Sequence, residues 1–200
     1  AFSERYVYDD PDPDVEGDSG DGSLKQMTTA AGSTIDFTYD GLKRLTDRTV
    51  KNGSSILYTE SYTYYNSQIN GQTQTIGRIA YHELDTAGGT ELVNVRYYYD
   101  SLGNITKITE KDKLAGNSAL RPLVVYSYDD QNQLISETCY TYTGTSETPS
   151  ETTVYTFTYD TAGNLLTESK NGTVTKTYDY DNSSWKDLLT SFNGTALLYD

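Results

Sequence analysis

The feature that most limits how this chain can fold is a short pattern that keeps returning. Two aromatic residues one apart are followed by Asp, and three positions later by a residue that tolerates a left-handed backbone. The fullest copy is Val95-Arg96-Tyr97-Tyr98-Tyr99-Asp100-Ser101-Leu102-Gly103-Asn104-Ile105-Thr106. Phe37-Thr38-Tyr39-Asp40, Tyr126-Ser127-Tyr128-Asp129 and Phe157-Thr158-Tyr159-Asp160 open the other clear copies. Degenerate copies open at Tyr6, Tyr62 and Tyr178, and Tyr199-Asp200 opens a further, truncated one. Asp recurs 31 residues on from Asp9 to Asp40, 29 from Asp100 to Asp129 and 31 from Asp129 to Asp160. That spacing holds two strands with variable outer loops, and a repeat of this length decides architecture before any other signal does.

Each copy reads as strand, tight turn, strand. Aromatics at i and i+2 fall on one face of a strand, and Tyr, Phe and Thr suit a pleated surface. The Asp carboxylate can accept backbone N–H groups at the first position of a turn. Gly103, Asn132 and Gly163 stand three residues on, where φ > 0 is needed. Ile105, Leu134 and Leu165 then start the returning strands. The predicted unit is a β-hairpin closed by a type I turn and one left-handed residue. The copy at Phe37 departs, with Gly41 directly after Asp40 and Lys43 where Gly is expected, so its turn type stays open. Asn52-Gly53, Asn171-Gly172 and Asn193-Gly194 mark further hairpins. The sequence therefore predicts an all-β chain of antiparallel hairpins over residues 1–200. Tyr ladders are expected on one sheet face and Thr, Ser, Lys and Glu on the other.

With 20 Tyr, 16 Gly and 4 Pro among 200 residues, composition agrees with a β-rich chain. A repeat array is stabilised between neighbours rather than around one centre. The net charge of −14 argues against nucleic-acid binding, which needs clustered Lys and Arg. It also disfavours anionic membrane surfaces, and no apolar run approaches the length of a membrane span. The chain opens at Ala1 without Met or signal peptide, as an excerpt of a longer protein would.

Few residues invite chemistry. The acidic segment Asp10 to Gly22 places oxygen ligands at Asp12, Asp14, Glu16 and Asp18 with Gly17 between them, like the start of an EF-hand calcium loop. The bidentate Glu is missing, since Ser23 stands at the twelfth position. Calcium and a solvated acidic loop are both compatible with this segment, and no other cofactor is indicated. His82 is the single histidine, which argues against a His-ligated metal centre. No Gly-x-Ser-x-Gly elbow accompanies it, and it reads as a structural histidine. Cys139, the one cysteine, lies in a strand-like run and reads as a small apolar residue rather than a nucleophile. Ser183 to Thr190 could form one helical turn capped by Ser183 or Ser184. Nothing here assembles an active site, and the chain is expected not to be an enzyme. The repeated residues Tyr39, Asp40, Tyr97, Tyr99, Asp100, Gly103, Tyr128, Asp129, Tyr159, Asp160 and Gly163 are expected to serve structure.

The repeated Tyr-x-Tyr-Asp-x-x-Gly-Asn/Arg-Leu resembles the YD repeat of the RHS family, which includes bacterial rearrangement hot spot proteins, teneurins and the B and C components of insecticidal toxin complexes. The resemblance covers nearly the whole chain. It implies a long β-ribbon that spirals into a hollow shell, here an elongated curved piece of it. The shell would enclose or present a C-terminal effector in a secreted or cell-surface protein, with the remaining repeats and the effector as partners. The family's self-cleaving aspartate region is not recognisable here. The resemblance also leaves open a carbohydrate-binding or adhesion module, in which exposed Tyr rings stack on a polysaccharide. Bare edge strands allow self-association. Rings exposed on one face would favour sugar binding, and rings packed between strands would favour the shell.

Overall fold

The computed structural model describes residues 4–9, 20, 22–65, 77–111 and 119–199. They form fifteen strands and no helix, ordered in the sheet as they are in the sequence. The pairings with a defined register are all antiparallel. The chain falls into two compact units, Ala1–Tyr97 with Glu110–Ala119, and Tyr98–Thr109 with Leu120–Asp200.

The first unit contains β1 (Arg5–Tyr8), β2 (Leu24–Thr28), β3 (Ser33–Tyr39), β4 (Leu45–Asn52), β5 (Ser55–Tyr64), β6 (Ile79–Thr86) and most of β7 (Glu91–Tyr99). Among the described residues its buried apolar side chains are Val50, Tyr65 and Ala80. The rest of the sheet keeps most of its large side chains half-buried. Its stability therefore rests on cross-strand pairs and ladder hydrogen bonds rather than on a second packed layer.

The second unit carries the end of β7, nearly all of β8 (Ile105–Glu110), β9 (Arg121–Tyr128), β10 (Leu134–Thr141), β11 (Glu151–Tyr159), β12 (Leu165–Lys170) and β13 (Thr173–Asp179). Two short strands follow, β14 (Ser191–Phe192) and β15 (Thr195–Ala196).

Two local expectations need correction. Residues 183–190 form no helix; Asn182, not Ser183 or Ser184, supplies the cap, its Oδ1 accepting the N–H groups of Ser184 and Trp185 at 2.9 and 2.8 Å. Asn carries a freer acceptor than Ser and takes both donors. At Asn52-Gly53 the turn sits one residue later than expected. Asn52 stays in β4 opposite Ser55, so Gly53 and Ser54 turn the chain, with Gly53 at φ 59°. Asn171-Gly172 and Asn193-Gly194 do fill their turns, with both residues at positive φ, the signature of a type I′ hairpin.

The separation of faces also needs amending. Phe37, Tyr58, Tyr62 and Tyr97 lie on the aromatic face of the first unit, and Tyr126, Tyr155 and Phe157 on that of the second. Directly opposite four of these rings, however, stand charged residues: Arg48 across from Phe37, Glu137 from both Tyr126 and Tyr155, and Glu168 from Phe157. The bulges described below set this register, which alternation in the sequence alone does not. The opposite face does hold Thr, Ser and Asp, but it also takes Tyr81, paired with Arg96.

Candidate functional site

The recurring turn is the one arrangement that the chain builds many times. In the clear copies the carbonyl of the Asp accepts the N–H three residues on, from Lys43, Gly103, Asn132 and Gly163 at 2.9–3.1 Å. The Asp N–H donates to the carbonyl four residues on. The Oδ1 atom accepts two further N–H groups, at positions two and four after the Asp, all within 2.8–3.0 Å. Where the fourth residue is Asn104 or Asn164, its Nδ2 donates to Oδ2 at 2.9 Å; in the first copy Arg44 Nε does so at 2.7 Å. The carboxylates are thus occupied by their own turns. The copy at Phe37 makes the same turn as the others: Lys43 accepts the left-handed backbone at φ 64°, because five hydrogen bonds to Asp40 close the loop around it.

The degenerate copies at Tyr6 and Tyr62 keep the closure and change the residues, whereas in the copy at Tyr178 Asp181 N–H donates to Thr190 Oγ1 and Ser184 N–H to Asn182 Oδ1. Gly22 N–H donates to Asp9 O, and Asp9 N–H to Ser23 O, so the acidic segment is an insertion into this turn. Asp12, Asp14, Glu16 and Asp18 lie outside the described residues. In the copy at Tyr62, Tyr65 stands where Asp is usual. Its N–H donates to Arg78 O and its carbonyl accepts Gly77 N–H. Thr29 and Thr86 form the same closure with Gly32 and Gly89. Sequence reading missed the turn at Thr29, whose only signal is Gly three residues after Thr; the turn at Thr86 falls within Asp85-Thr86-Ala87-Gly88-Gly89, where the sequence does predict one.

A second contact joins four of the hairpins to the one before. The hydroxyl of the second tyrosine in a copy donates to the carbonyl of the apolar residue that starts the preceding return strand. Tyr39 reaches Leu24 at 3.0 Å, Tyr64 reaches Leu45 at 2.9 Å, Tyr128 reaches Ile105 at 2.9 Å and Tyr159 reaches Leu134 at 2.8 Å. The physical cause is a bulge. Tyr39 pairs with Leu45 and Thr38 with Asp47, leaving Thr46 extra. The next ladder then begins only at Asp47 opposite Ser61, so the Leu45 carbonyl lies beyond its end and needs another donor. Leu134 shows the same pattern, its next ladder starting at Ser136. Tyr97, half-buried, offers its own carbonyl to the Tyr65 hydroxyl at 2.7 Å, and Tyr99 is likewise half-buried.

His82 lies on the aromatic face. Its ring stacks on Tyr62, with centroids 5.0 Å apart and planes 7° from parallel, and its Nε2 is 2.8 Å from Glu60 Oε1. Arg48 closes the group, Nη2 standing 2.7 Å from Glu60 Oε2. Burial pushes the Glu60 carboxyl up, but hydrogen bonds from His82 and Tyr62 and the Arg48 charge outweigh it and hold the carboxyl low. His82 and Arg48 approach the two Glu60 oxygens from either side, so the group serves to satisfy a carboxylate placed among rings, while Arg48 Nε stays buried without a hydrogen-bond partner. Burial and the nearby Glu137 raise the Cys139 thiol, which weakens it as a nucleophile. Among the described residues no group of His, Cys, Asp and Glu could hold a metal ion. The grooves between successive turns, such as the one of about 380 Å³ lined by Asp129, Gln131, Ile135, Phe157 and Tyr159, are shallow and open.

The turn carboxylates predict an acid limit. Hydrogen bonding from Arg44 and Asn164 holds the Asp40 and Asp160 carboxyls below their ordinary value. Burial raises Asp100, but Asn104 and the turn N–H groups overcome this and lower it. A depressed folded value contributes stability above the ordinary carboxyl value of 3.8 and loses it as pH falls through the folded value. Thermal melts should therefore be flat through the weakly acidic range and fall steeply below about 3.8. The double variant Asp100→Asn, Asp160→Asn keeps the oxygen that accepts the turn N–H groups but loses the one that accepts from Asn104 and Asn164, so it should start from a lower plateau and show a shallower fall.

No family model matches the chain. It is 29% identical over 185 residues, 84% of its length, to the tRNA3(Ser)-specific nuclease WapA of Bacillus spizizenii, covering 7% of that protein. To the toxin subunit YenC2 of Yersinia entomophaga it is 33% identical over 99 residues, 40% of this chain and 10% of that one. Among solved structures, TcdB2-TccC3 superimposes with a TM-score of 0.50 at 18% identity, over 84% of this chain and 10% of the other. That likeness is one of fold. The chain thus spans a tenth or less of the relatives it matches, and these similarities are consistent with repeats of the RHS type.

Proposed function

We propose that this chain is a non-catalytic segment of the repeat region of an RHS-type protein. It contributes hairpins to a curved β-shell that encloses or presents a C-terminal effector in a secreted or cell-surface protein. Residues 1–200 act as one array in this reading, with the rest of the repeats and the effector as partners. The observation that carries it is the tyrosine bond to the preceding hairpin. A side chain whose one polar atom is committed to the previous repeat unit is built for continuation, and it is poorly placed as a sugar platform. The similarity to nuclease and toxin proteins agrees with a scaffold that accompanies effectors, because only a small part of each is matched.

The test has two arms on the purified chain. Tyr128→Phe with Tyr159→Phe should lower the unfolding free energy by about 1–3 kcal/mol, since each loses one hydrogen bond and leaves a carbonyl short. In affinity electrophoresis against a polysaccharide panel the folded parent should run unretarded, and tRNA incubated with it should stay intact. Specific retardation by a glycan, abolished by the double substitution, would replace the scaffold reading with a carbohydrate-binding one. Cleavage of the tRNA would overturn the non-catalytic reading.

A further inference from the structure

We propose that Asn52 is a site of spontaneous deamidation in the folded chain, and that Asn171 and Asn193 are protected by their own side-chain hydrogen bonds. All three precede glycine, in Asn52-Gly53-Ser54, Asn171-Gly172-Thr173 and Asn193-Gly194-Thr195, so their local covalent chemistry is nearly the same. In the reaction the glycine main-chain nitrogen attacks the asparagine Cγ. The new N–Cγ bond forms as Cγ–Nδ2 breaks, and the side-chain nitrogen leaves as ammonia with the glycine N–H proton. Water then opens the cyclic imide at either carbonyl, giving aspartate or isoaspartate. No oxidant or second protein is needed. What the fold controls is whether the side chain is free to swing onto the glycine nitrogen.

At two of the sites it is not. Asn171 donates its N–H to Val154 O at 2.7 Å, and its Oδ1 accepts the Val154 N–H at 2.8 Å. Asn193 repeats this against Thr177, at 2.9 and 2.8 Å. Both residues are left-handed, at φ 49°. That conformation turns the main-chain carbonyl away from the neighbouring strand, and the side-chain oxygen takes its place. Moving either side chain toward glycine leaves a strand N–H without an acceptor. Asn52 stands in a different conformation, extended at the end of β4 with the turn one residue later. Its side chain is exposed and makes no hydrogen bond among the described residues. Space does not distinguish the sites: a Cβ placed on Gly53, Gly172 or Gly194 would meet nothing within 4 Å. The difference lies in the backbone conformation and in the hydrogen bond that goes with it. Conversion at Asn52 adds a carboxylate beside Lys51, whose ammonium already contacts Asp36. In the isoaspartate product it also lengthens the backbone where Asn52 pairs with both Ser33 and Ser55.

The experiment is a time course of the folded chain in mildly alkaline buffer at 37 °C, with peptide mass mapping of the amide-to-acid mass gain at each asparagine. A parallel course in concentrated urea removes the fold. Folded, Asn52 should convert at least about 2-fold faster than Asn171 or Asn193, the smallest factor expected for breaking one exposed hydrogen bond on the way to the imide. In urea the three rates should converge. Equal rates in the folded chain, a lead for Asn171 or Asn193, or no conversion at Asn52 while all three convert in urea would each overturn the proposal.

Discussion

Replacing Tyr65 by alanine should destabilise the first unit by about 3–5 kcal/mol, the range for emptying a buried aromatic site. Tyr65 is 2% exposed and is the largest fully buried side chain among the described residues. It does three things at once. Its ring is buried; its hydroxyl donates to Tyr97 O at 2.7 Å; and its main chain closes the expanded turn through Arg78 and Gly77. Alanine keeps only the last of these. Tyr65→Phe keeps the ring and should cost about 1 kcal/mol, the net worth of one hydrogen bond. Urea unfolding of both variants separates the two terms. Amide exchange should show the alanine variant opening first around Ile79–Tyr81 and Tyr97. A loss for Tyr65→Ala no larger than for Tyr65→Phe would mean that the ring packs against nothing of consequence.

Arg121→Met should cost the second unit about 2–4 kcal/mol, although it removes a single positive charge from a chain that has net charge −14. Arg121 is 4% exposed. Its guanidinium lies 4.4 Å from the centre of the Tyr142 ring, and its Nη1 donates to Gly144 O and Ser146 O, both at 3.2 Å. Methionine retains the stem's packing but leaves the loop carbonyls short and the ring without its cation. Amide exchange at residues 143–150 should accelerate more than in the neighbouring strands. Lys107, whose ammonium sits 4.2 Å from the Tyr98 ring, is half-buried rather than enclosed. Lys107→Met should cost only about 0.5–1 kcal/mol, because water screens that contact. Equal losses for the two substitutions would show that burial is not what gives Arg121 its weight.

Both of these residues escaped the sequence reading. Tyr65 is one more aromatic in a tyrosine-rich stretch, and only its place in the repeat, where Asp is usual, marks it. Arg121 precedes Pro122 at the end of a polar connection and looks like a surface residue. Its burial comes from a loop more than twenty residues further on. The strands and the Asp turns were legible because their determinants are local. A carboxylate reaches N–H groups two and four residues away, and Gly, Asn or even Lys43 completes the turn within three. The same locality allowed the acidic segment after Asp9 to be recognised as an interruption of a hairpin, though its candidate ligands fall outside the described residues.

By itself, then, the sequence determined the all-β class, the hairpin unit, the turn chemistry and the return strands. All of these depend on residues within one turn of each other or on alternation along one strand. The tertiary structure decided what lies across strands. The tyrosine hydroxyls find carbonyls 15 to 25 residues back, and Glu137 and Glu168 face rings rather than the polar side. Asn52 lies outside its own turn, while Asn171 and Asn193 lie within theirs. The physical reason is the bulge beside the turns at Asp9, Asp40, Asp129 and Asp160. One extra residue in the return strand resets the pairing of everything beyond it, and a reset of one position changes which face, which partner and which carbonyl a side chain meets.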